Sequence, residues 1–123
     1  MSQNILRLHH SSVIVADTEA SLKFYCGVLG LKCLPRPDFP YYGAWLEVGE
    51  QQVHLLELDN PDPTKNRPDH GGKDRHIAFN ILSLDKLKND LDQANVSYTL
   101  SASGRRALFC RDLDGNALEF IEN

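Results

Sequence analysis

Hydrophobic positions in the first half of the chain follow the period of a strand, then of a helix, then of three further strands. The run ILRLHHSSVIVA is rich in β-branched residues and predicts a strand. The run DTEASLKFYCGVLG predicts a helix that Asp17 or Thr18 caps and Gly30 closes. Its apolar face, spaced at the helical period, consists of Leu22, Tyr25, Cys26 and Leu29. The runs LKCLPR, YYGAWLEVG and QQVHLLEL predict three strands.

The same order of patterns occurs again in the second half. RHIAFNIL predicts a strand, and SLDKLKNDLDQAN predicts a helix with Ser83 as its cap and Asn95 near its end. VSYTLS, RRALFCRD and ALEFIEN predict three strands, and Gly115 in DLDGN is free to adopt the positive φ of a hairpin turn. The chain therefore contains an internal repeat of about sixty residues. We expect an α+β fold of tandem βαβββ modules.

A polar segment separates the two repeats. It is rich in proline, glycine and charge, and no apolar period runs through it. We expect one domain over residues 1–123, in which module one spans 1–59, the linker 60–74 and module two 75–123. Long loops often carry function, so the linker around His70 is either a mobile lid or a disordered connection.

Composition excludes several classes of partner. The hydrophobic fraction of 41% is ordinary for a soluble globular chain, and a net charge of -4 without a basic patch argues against nucleic-acid binding. No apolar run approaches the ~20 residues of a membrane helix, and no signal pattern opens the chain. We therefore expect a cytoplasmic protein. Cys26, Cys33 and Cys110 form an odd set without CxxC spacing, which predicts free thiols packed as small buried hydrophobes.

Four metal-capable side chains occupy equivalent places in the two repeats. His10 and His76 lie on the first strand of each half, whereas His54 and Glu119 lie on the last strand of each half. A two-fold pairing of the halves would bring all four to one centre. Three imidazoles and one carboxylate suit a divalent transition metal such as zinc, nickel, manganese or iron.

The adjacent pair His9 and His10 raises the question of which ring faces the metal. Neighbouring side chains on a strand point to opposite faces, so only one of them can do so. Parity alone does not decide between them. The repeat favours His10, because His76 precedes the same length of strand before the second helix. We therefore predict that His10 is the inward residue.

These stretches resemble the vicinal oxygen chelate superfamily, which includes glyoxalase I, fosfomycin-resistance enzymes, extradiol dioxygenases and bleomycin-resistance proteins. The resemblance rests on HHSSVIVADTEASLKFYCGVLGLK, GAWLEVGEQQVHLLEL, RHIAFNI and FCRDLDGNALEFIE. It implies paired modules whose mixed sheets curve around a cavity that contains one divalent metal ion. The ligands it implies are His10, His54, His76 and Glu119. It also implies a homodimer, in which His10 and His54 of one chain can meet His76 and Glu119 of the other.

The resemblance implies a glyoxalase-like metalloenzyme that acts on a small oxygen-rich molecule by chelation and proton transfer. Glu119 is the expected base, with His54 as a second candidate. True glyoxalase I activity is not expected, because His54 replaces one of its two metal-bound carboxylates and Ile14 falls near its glutathione-binding arginine. Two alternatives stay open. One is a binding protein that holds a small drug-like ligand without turnover, and the other is a non-heme iron dioxygenase.

Three further features have two possible roles. Trp45 either lines a substrate site or packs in the core, and core packing is the expected role. Arg105 and Arg106 either clamp an anionic group or lie on a solvated turn, and the turn is expected. DLDGN lacks the remaining ligands of a calcium loop, so we interpret it as a turn.

Overall fold

In the computed structural model, which describes residues 3–123, the first half of the chain forms one four-stranded sheet. Its strands are β1 (His10–Val15), β2 (Lys32–Leu34), β3 (Gly43–Val48) and β4 (Gln51–Glu57). Their order across the sheet is β1-β4-β3-β2. Strand β1 runs parallel to β4, and the other neighbours are antiparallel.

The second half repeats this topology. Its strands are β5 (His76–Ile81), β6 (Tyr98–Leu100), β7 (Ala107–Arg111) and β8 (Ala117–Glu122). They are ordered β5-β8-β7-β6, again with one parallel pair. The predicted α+β class and the βαβββ repeat are confirmed. The strands form two separate open sheets.

The first helix differs from the expected single α-helix. Asp17 is its cap and accepts a hydrogen bond from the Ala20 amide, but only α1 (Thr18–Leu22) is α-helical. The turns from Lys23–Val28 are π-helical, with one bond running from the Leu29 amide to the Phe24 carbonyl at 3.0 Å. The wider turn buries two adjacent aromatic side chains, Phe24 and Tyr25, in the core. Of the predicted face only Tyr25 is fully buried, and the other three residues are half-buried.

Each helix is fixed to the last strand of its own module by a carboxylate. Glu57 accepts a hydrogen bond from the Thr18 amide, and Glu122 accepts one from the Leu84 amide, each at 2.8 Å. Helix α2 (Leu84–Gln93) has Ser83 as its cap, as predicted. A negative side chain at a helix N-terminus satisfies free amides and interacts favourably with the helix dipole.

The two modules share one hydrophobic core and are joined by polar contacts at a seam. Buried residues of both sheets belong to the same cluster. At the seam the Tyr25 hydroxyl donates to Asp112 at 2.6 Å, and the Asn116 amide donates to the Ile14 carbonyl at 3.2 Å. Gly115 has a φ of +82°, which confirms the predicted hairpin turn.

The linker is anchored to module two by a buried carboxylate. Asp74 accepts hydrogen bonds from Arg67 at 2.7 Å and 3.0 Å and from Arg111 at 2.8 Å. These bonds to Arg67 and then Arg111 hold the pKa of Asp74 well below its usual range. A short 3-10 turn, Gly71–Lys73, precedes it. The end of the linker is therefore an ordered part of the fold.

The three cysteines are free thiols, as expected, but they are not uniformly buried. Cys110 is buried, Cys26 is half-buried and Cys33 is exposed. The expectation of burial is therefore wrong for Cys33, because it lies on β2, at the edge of its sheet. No helix among residues 3–123 is both long enough and apolar enough to cross a bilayer.

Candidate functional site

The first two predicted ligands lie side by side on module one. Because β1 and β4 pair with Ser12 opposite His54, the His10 ring lies one pleat away on the same face. The two imidazoles stack with their centroids 4.0 Å apart and their planes inclined by 13°. Trp45, directly opposite His54 on β3, stacks on its other side at 4.4 Å. His54 is thus held between two aromatic rings.

Hydrogen bonds fix the proton on the His54 ring. Its Nε2 lies 2.7 Å from Gln52 Oε1, and a carbonyl oxygen only accepts, so Nε2 carries the proton and Nδ1 the lone pair. Burial, followed by the neighbouring rings of His10 and His9, lowers the pKa of His54 below its usual value. The neutral ring can therefore serve as a metal ligand or accept a proton at Nδ1.

The other two predicted ligands form the equivalent pair on module two. Strands β5 and β8 pair with Ala78 opposite Glu119, so His76 lies one pleat away, as His10 does from His54. His76 Nε2 is 3.2 Å from Glu119 Oε1. Its Nδ1 lies 2.8 Å from the Asp74 carbonyl and must donate to it, so Nε2 is the ring nitrogen that faces the carboxylate. Phe109, the counterpart of Trp45, packs edge-on against the His76 ring at 5.2 Å.

Glu119 is the more deeply buried residue of this pair. Its side chain is only 4% exposed, and its second oxygen, Oε2, accepts a hydrogen bond from Arg105 at 3.1 Å. Arg106 contacts a different carboxylate, that of Glu122, at 2.6 Å. We expected the two arginines to lie on a solvated turn. This expectation is wrong, because each guanidinium contacts a carboxylate on β8.

The four predicted ligands do not come together within one chain. Among residues 3–123, no group of three or more histidine, cysteine, aspartate or glutamate side chains is close enough to hold a metal ion. The structure instead contains two pairs, which we call half-site one (His10 and His54) and half-site two (His76 and Glu119). Each pair joins a histidine on an outer strand to a second donor on the adjacent inner strand.

His10 does not point into the hydrophobic core. Along β1 the buried residues are Val13 and Val15, which share the parity of His9, whereas His10 is exposed. His9 and His10 do not point fully apart, since their Nδ1 atoms lie 2.9 Å from each other at the beginning of the strand. His10 therefore faces His54 rather than the hydrophobic core, and its role as a metal ligand stays a prediction.

A cavity of about 310 Å³ lies between the two modules beside half-site two. Its walls include His76, Ser12 and Asn116, and Arg75 lies at the linker side. Molecules of a few heavy atoms fit a space of this size. The cavity connects the seam between the sheets to one of the predicted ligands.

Two functional contacts are not evident from the sequence alone. Gln52 orients His54 from two positions away on the same face of β4, and the Asp74 carbonyl orients His76 from two positions before it. Trp45 was expected to pack in the core, but it is half-buried and lies against His54. The repeat contains the signal that could have indicated it, because Trp45 and Phe109 lie at equivalent positions opposite His54 and Glu119.

The sequence matches known proteins along most of its length. A profile of the Glyoxalase/Bleomycin resistance protein/Dioxygenase superfamily matches residues 7–120. Glyoxylase I 4 of Arabidopsis thaliana is 29% identical over 94% of this chain and 70% of its own length. The lactoylglutathione lyase of Neisseria meningitidis serogroup B is 29% identical over 95% of this chain and 91% of its own.

Solved structures share the fold. A protein from Bacillus anthracis, described as belonging to the glyoxalase family, superposes with a TM-score of 0.81 at 25% identity, over 100% of this chain and 99% of its own. The E126Q mutant of the Listeria monocytogenes fosfomycin resistance protein FosX, complexed with Mn(II) and 1S,2S-dihydroxypropylphosphonic acid, superposes with a TM-score of 0.76 at 17% identity. That match covers 97% of this chain and 93% of the other.

Proposed function

Because the chain belongs to the Glyoxalase/Bleomycin resistance protein/Dioxygenase superfamily, we propose that it is a metal-dependent, glyoxalase-like enzyme that acts on a small oxygen-rich substrate. The observation that carries the proposal is the contact between His76 Nε2 and Glu119 Oε1 at 3.2 Å. Hydrogen bonding to the Asp74 carbonyl occupies Nδ1, so Nε2 faces the carboxylate with either a lone pair or a second N–H. A protonated His76 makes this contact an ion pair, and a metal cation that displaces that proton would bind the same nitrogen and oxygen atoms.

The donor set fits a divalent transition metal. It consists of imidazole nitrogens and one carboxylate, and each half-site has the second-sphere hydrogen bond that orients such ligands. His10, His54, His76 and Glu119 would hold zinc, nickel, manganese or iron. A bound cation would act as a Lewis acid on neighbouring oxygens of the substrate.

We propose that the metal centre forms between two subunits of a homodimer. Each subunit brings two donors to each half-site, and a divalent ion in such a site takes about four ligands. Half-site one of one subunit would meet half-site two of its partner. Exposed apolar residues directly before β1 support a partner at this edge, since Ile5, Leu6 and Leu8 are 76%, 73% and 72% exposed.

Glu119 is the proposed proton acceptor and His54 the second candidate. Glu119 lies in a site that largely excludes water, where a carboxylate exchanges protons with a substrate rather than with solvent. One of its oxygens must leave Arg105 or His76 before it can accept a proton. His54 offers a neutral Nδ1, but stacking between Trp45 and His10 restricts its movement.

Elemental mass spectrometry tests the proposal. Untagged wild-type protein should contain a near-stoichiometric divalent metal, and the His10→Ala and Glu119→Gln variants should lose it. His70→Ala is the matched control, because within residues 3–123 that ring hydrogen-bonds only to backbone atoms, at Gly72 and Leu100, and reaches half-site two only through its packing against Phe109. A wild-type protein that binds no metal after supplementation would refute the proposal.

Mixing variant subunits tests whether the centre is shared. A heterodimer of the His10→Ala and Glu119→Gln chains would contain one intact site, made from the unmutated half-site of each subunit. We expect mixing to restore metal binding to part of the sample. If each subunit held its own complete centre, mixing would restore nothing.

Turnover is the final test. We would begin with the lactoylglutathione lyase reaction, because several relatives have that name, and then use other small oxygen-rich substrates. We expect weak activity in that first assay, since His54 replaces a carboxylate. Whatever reaction is found, Glu119→Gln should lower its rate by about 10²-fold or more.

A non-heme iron dioxygenase is the second candidate, and one contact favours it. Because Gln52 Oε1 holds His54 Nε2, that ring can remain outside the metal's ligands. His10, His76 and Glu119 would then supply two histidines and one carboxylate, the set that iron oxygenases use. Iron-loaded protein would consume oxygen with a catechol, whereas the first proposal predicts no uptake.

A further inference from the structure

Arg105 occupies the oxygen of Glu119 that faces away from His76. Its guanidinium lies 3.1 Å from Oε2, and His76 lies 3.2 Å from Oε1. Both oxygens of a carboxylate that is 4% exposed are therefore engaged, one by an imidazole and the other by a permanently charged guanidinium. Isolated buried carboxylates are costly, so the guanidinium stabilises Glu119 in the absence of another cation.

The guanidinium itself is free to leave. Its side chain is 57% exposed, and Glu119 is the one carboxylate it contacts within residues 3–123. It extends from the stretch between β6 and β7, where the turns before Ala107 form no strand. Exchange of this exposed partner for another cation requires rotation of one side chain only.

The adjacent arginine does not share this arrangement. Arg106 contacts Glu122 at 2.6 Å and Asp85 at 3.5 Å, near the start of helix α2. It makes no contact with Glu119 among the described residues. Two neighbouring residues of equal charge thus differ in whether they touch half-site two.

We propose that Arg105 is a displaceable counter-cation of Glu119 that competes with the divalent metal and thereby sets the metal affinity of the site. This inference rests on the proposed function. While Arg105 holds Oε2, the carboxylate has less capacity to bind a second cation, and the nearby positive charge also repels it. Metal binding and the Arg105–Glu119 ion pair are therefore mutually opposed, and each weakens the other.

Isothermal titration of Mn²⁺ into untagged, chelator-treated protein at constant ionic strength tests this inference. Arg105→Gln should bind Mn²⁺ about fivefold more tightly than wild type, which is the loss of one partly exposed ion pair. Arg105→Lys, which keeps a positive charge within reach of Glu119, should remain near wild type. Arg106→Gln is the matched control and should leave the affinity unchanged.

Any of four results would overturn the inference. Arg105→Gln could bind Mn²⁺ no more tightly than wild type, or Arg106→Gln could tighten binding equally, which would indicate a general effect of net charge. If thermal melts show that the Arg105→Gln chain is destabilised, the Mn²⁺ affinities of wild type, Arg105→Lys and Arg106→Gln are compared instead. A clearly higher affinity of Arg105→Lys for Mn²⁺ would contradict competition by charge. Failure of wild type and all variants to bind Mn²⁺, and then Zn²⁺, Ni²⁺ and Fe²⁺ in the same titration, would refute the proposed function as well.

Discussion

Replacement of Tyr25 by phenylalanine should destabilise the junction between the two modules. The ring is fully buried on the π-helical turn of module one, and its hydroxyl donates to Asp112 Oδ2 at 2.6 Å. Asp112 precedes the hairpin that leads into β8 and Glu119, and it also accepts the Asn116 side-chain amide and two backbone amides. The hydroxyl is thus one of four donors to a buried carboxylate.

The expected loss is about 2 kcal/mol, the contribution of a hydrogen bond to a charged acceptor. The remaining donors to Asp112 prevent a larger loss, and the phenylalanine ring keeps the apolar packing of Tyr25. For a chain of this length, 1 kcal/mol corresponds to a shift of about 4 °C in Tm, so we expect a decrease of about 8 °C. Tyr42→Phe is the control, since its side chain is 76% exposed, and should change stability by less than about 0.5 kcal/mol.

Urea denaturation followed by circular dichroism measures the free energy of unfolding of both variants. The pH dependence of that free energy is a second test. Burial, and then Asp112, raises the pKa of Tyr25 well above its usual value. In the unfolded chain this hydroxyl ionises near pH 10, whereas in the folded chain it stays protonated, so its contribution is complete below pH 10 and declines above it. The difference in the free energy of unfolding between wild type and Tyr25→Phe should therefore decrease above about pH 10. Equal stability of the two at pH 7 would refute a stabilising role for this bond.

Three further predictions concern the linker, the thiols and the last hairpin. Asp74→Asn should lower the free energy of unfolding by about 2 kcal/mol at pH 7, measured by urea denaturation. Because the folded-state pKa of Asp74 is lowered, its stabilisation is present above the unfolded-state pKa near 4 and is lost as the pH falls through the folded-state pKa, so the difference should vanish in acid. A difference that persists in strong acid would contradict this. Cys33 should react with a maleimide before Cys26 at pH 8, since burial and the adjacent Cys33 thiol raise the pKa of Cys26 to about 11. Peptide mass mapping measures the order of labelling, and faster labelling of Cys26 would contradict this prediction. Gly115→Ala should lower the Tm more than Gly49→Ala. Both glycines have positive φ, but only at Gly115 would an added Cβ approach a backbone carbonyl of the linker, at 2.6 Å. Equal decreases in Tm would mean that the linker moves to accommodate the added methyl group.

The repeated architecture could be predicted from the sequence because each module has a complete local signal. Alternating strands, capped helices and turn glycines occur twice in the same order, and the equivalent placement of His10 and His76 and of His54 and Glu119 follows from this repeat. These features depend on neighbours along the chain or on the adjacent strand. Periodicity is sufficient to detect them.

The remaining features depend on contacts between segments far apart in the chain. The π-helical turn is determined by the burial of Phe24 and Tyr25 against both modules, and helical periodicity has no signal for it. Parity along β1 separates its two faces but does not say which one the core covers. The contact of Arg105 with Glu119 depends on how the chain turns before β7, and turn composition leaves that path open.

The carboxylates that cap the helices also affect how rigid the site is. Glu57 and Glu122 lie three residues after His54 and Glu119, on the opposite face of the same inner strands. A slip of either strand along its axis would break a helix cap as well as the ladder bonds to both neighbours. His10 and His76 lie instead at the beginning of outer strands, where a strand has a partner on one side only. The proposed centre would thus combine two stiff donors with two compliant ones, and adaptation to ions of different radius would depend on the outer histidines.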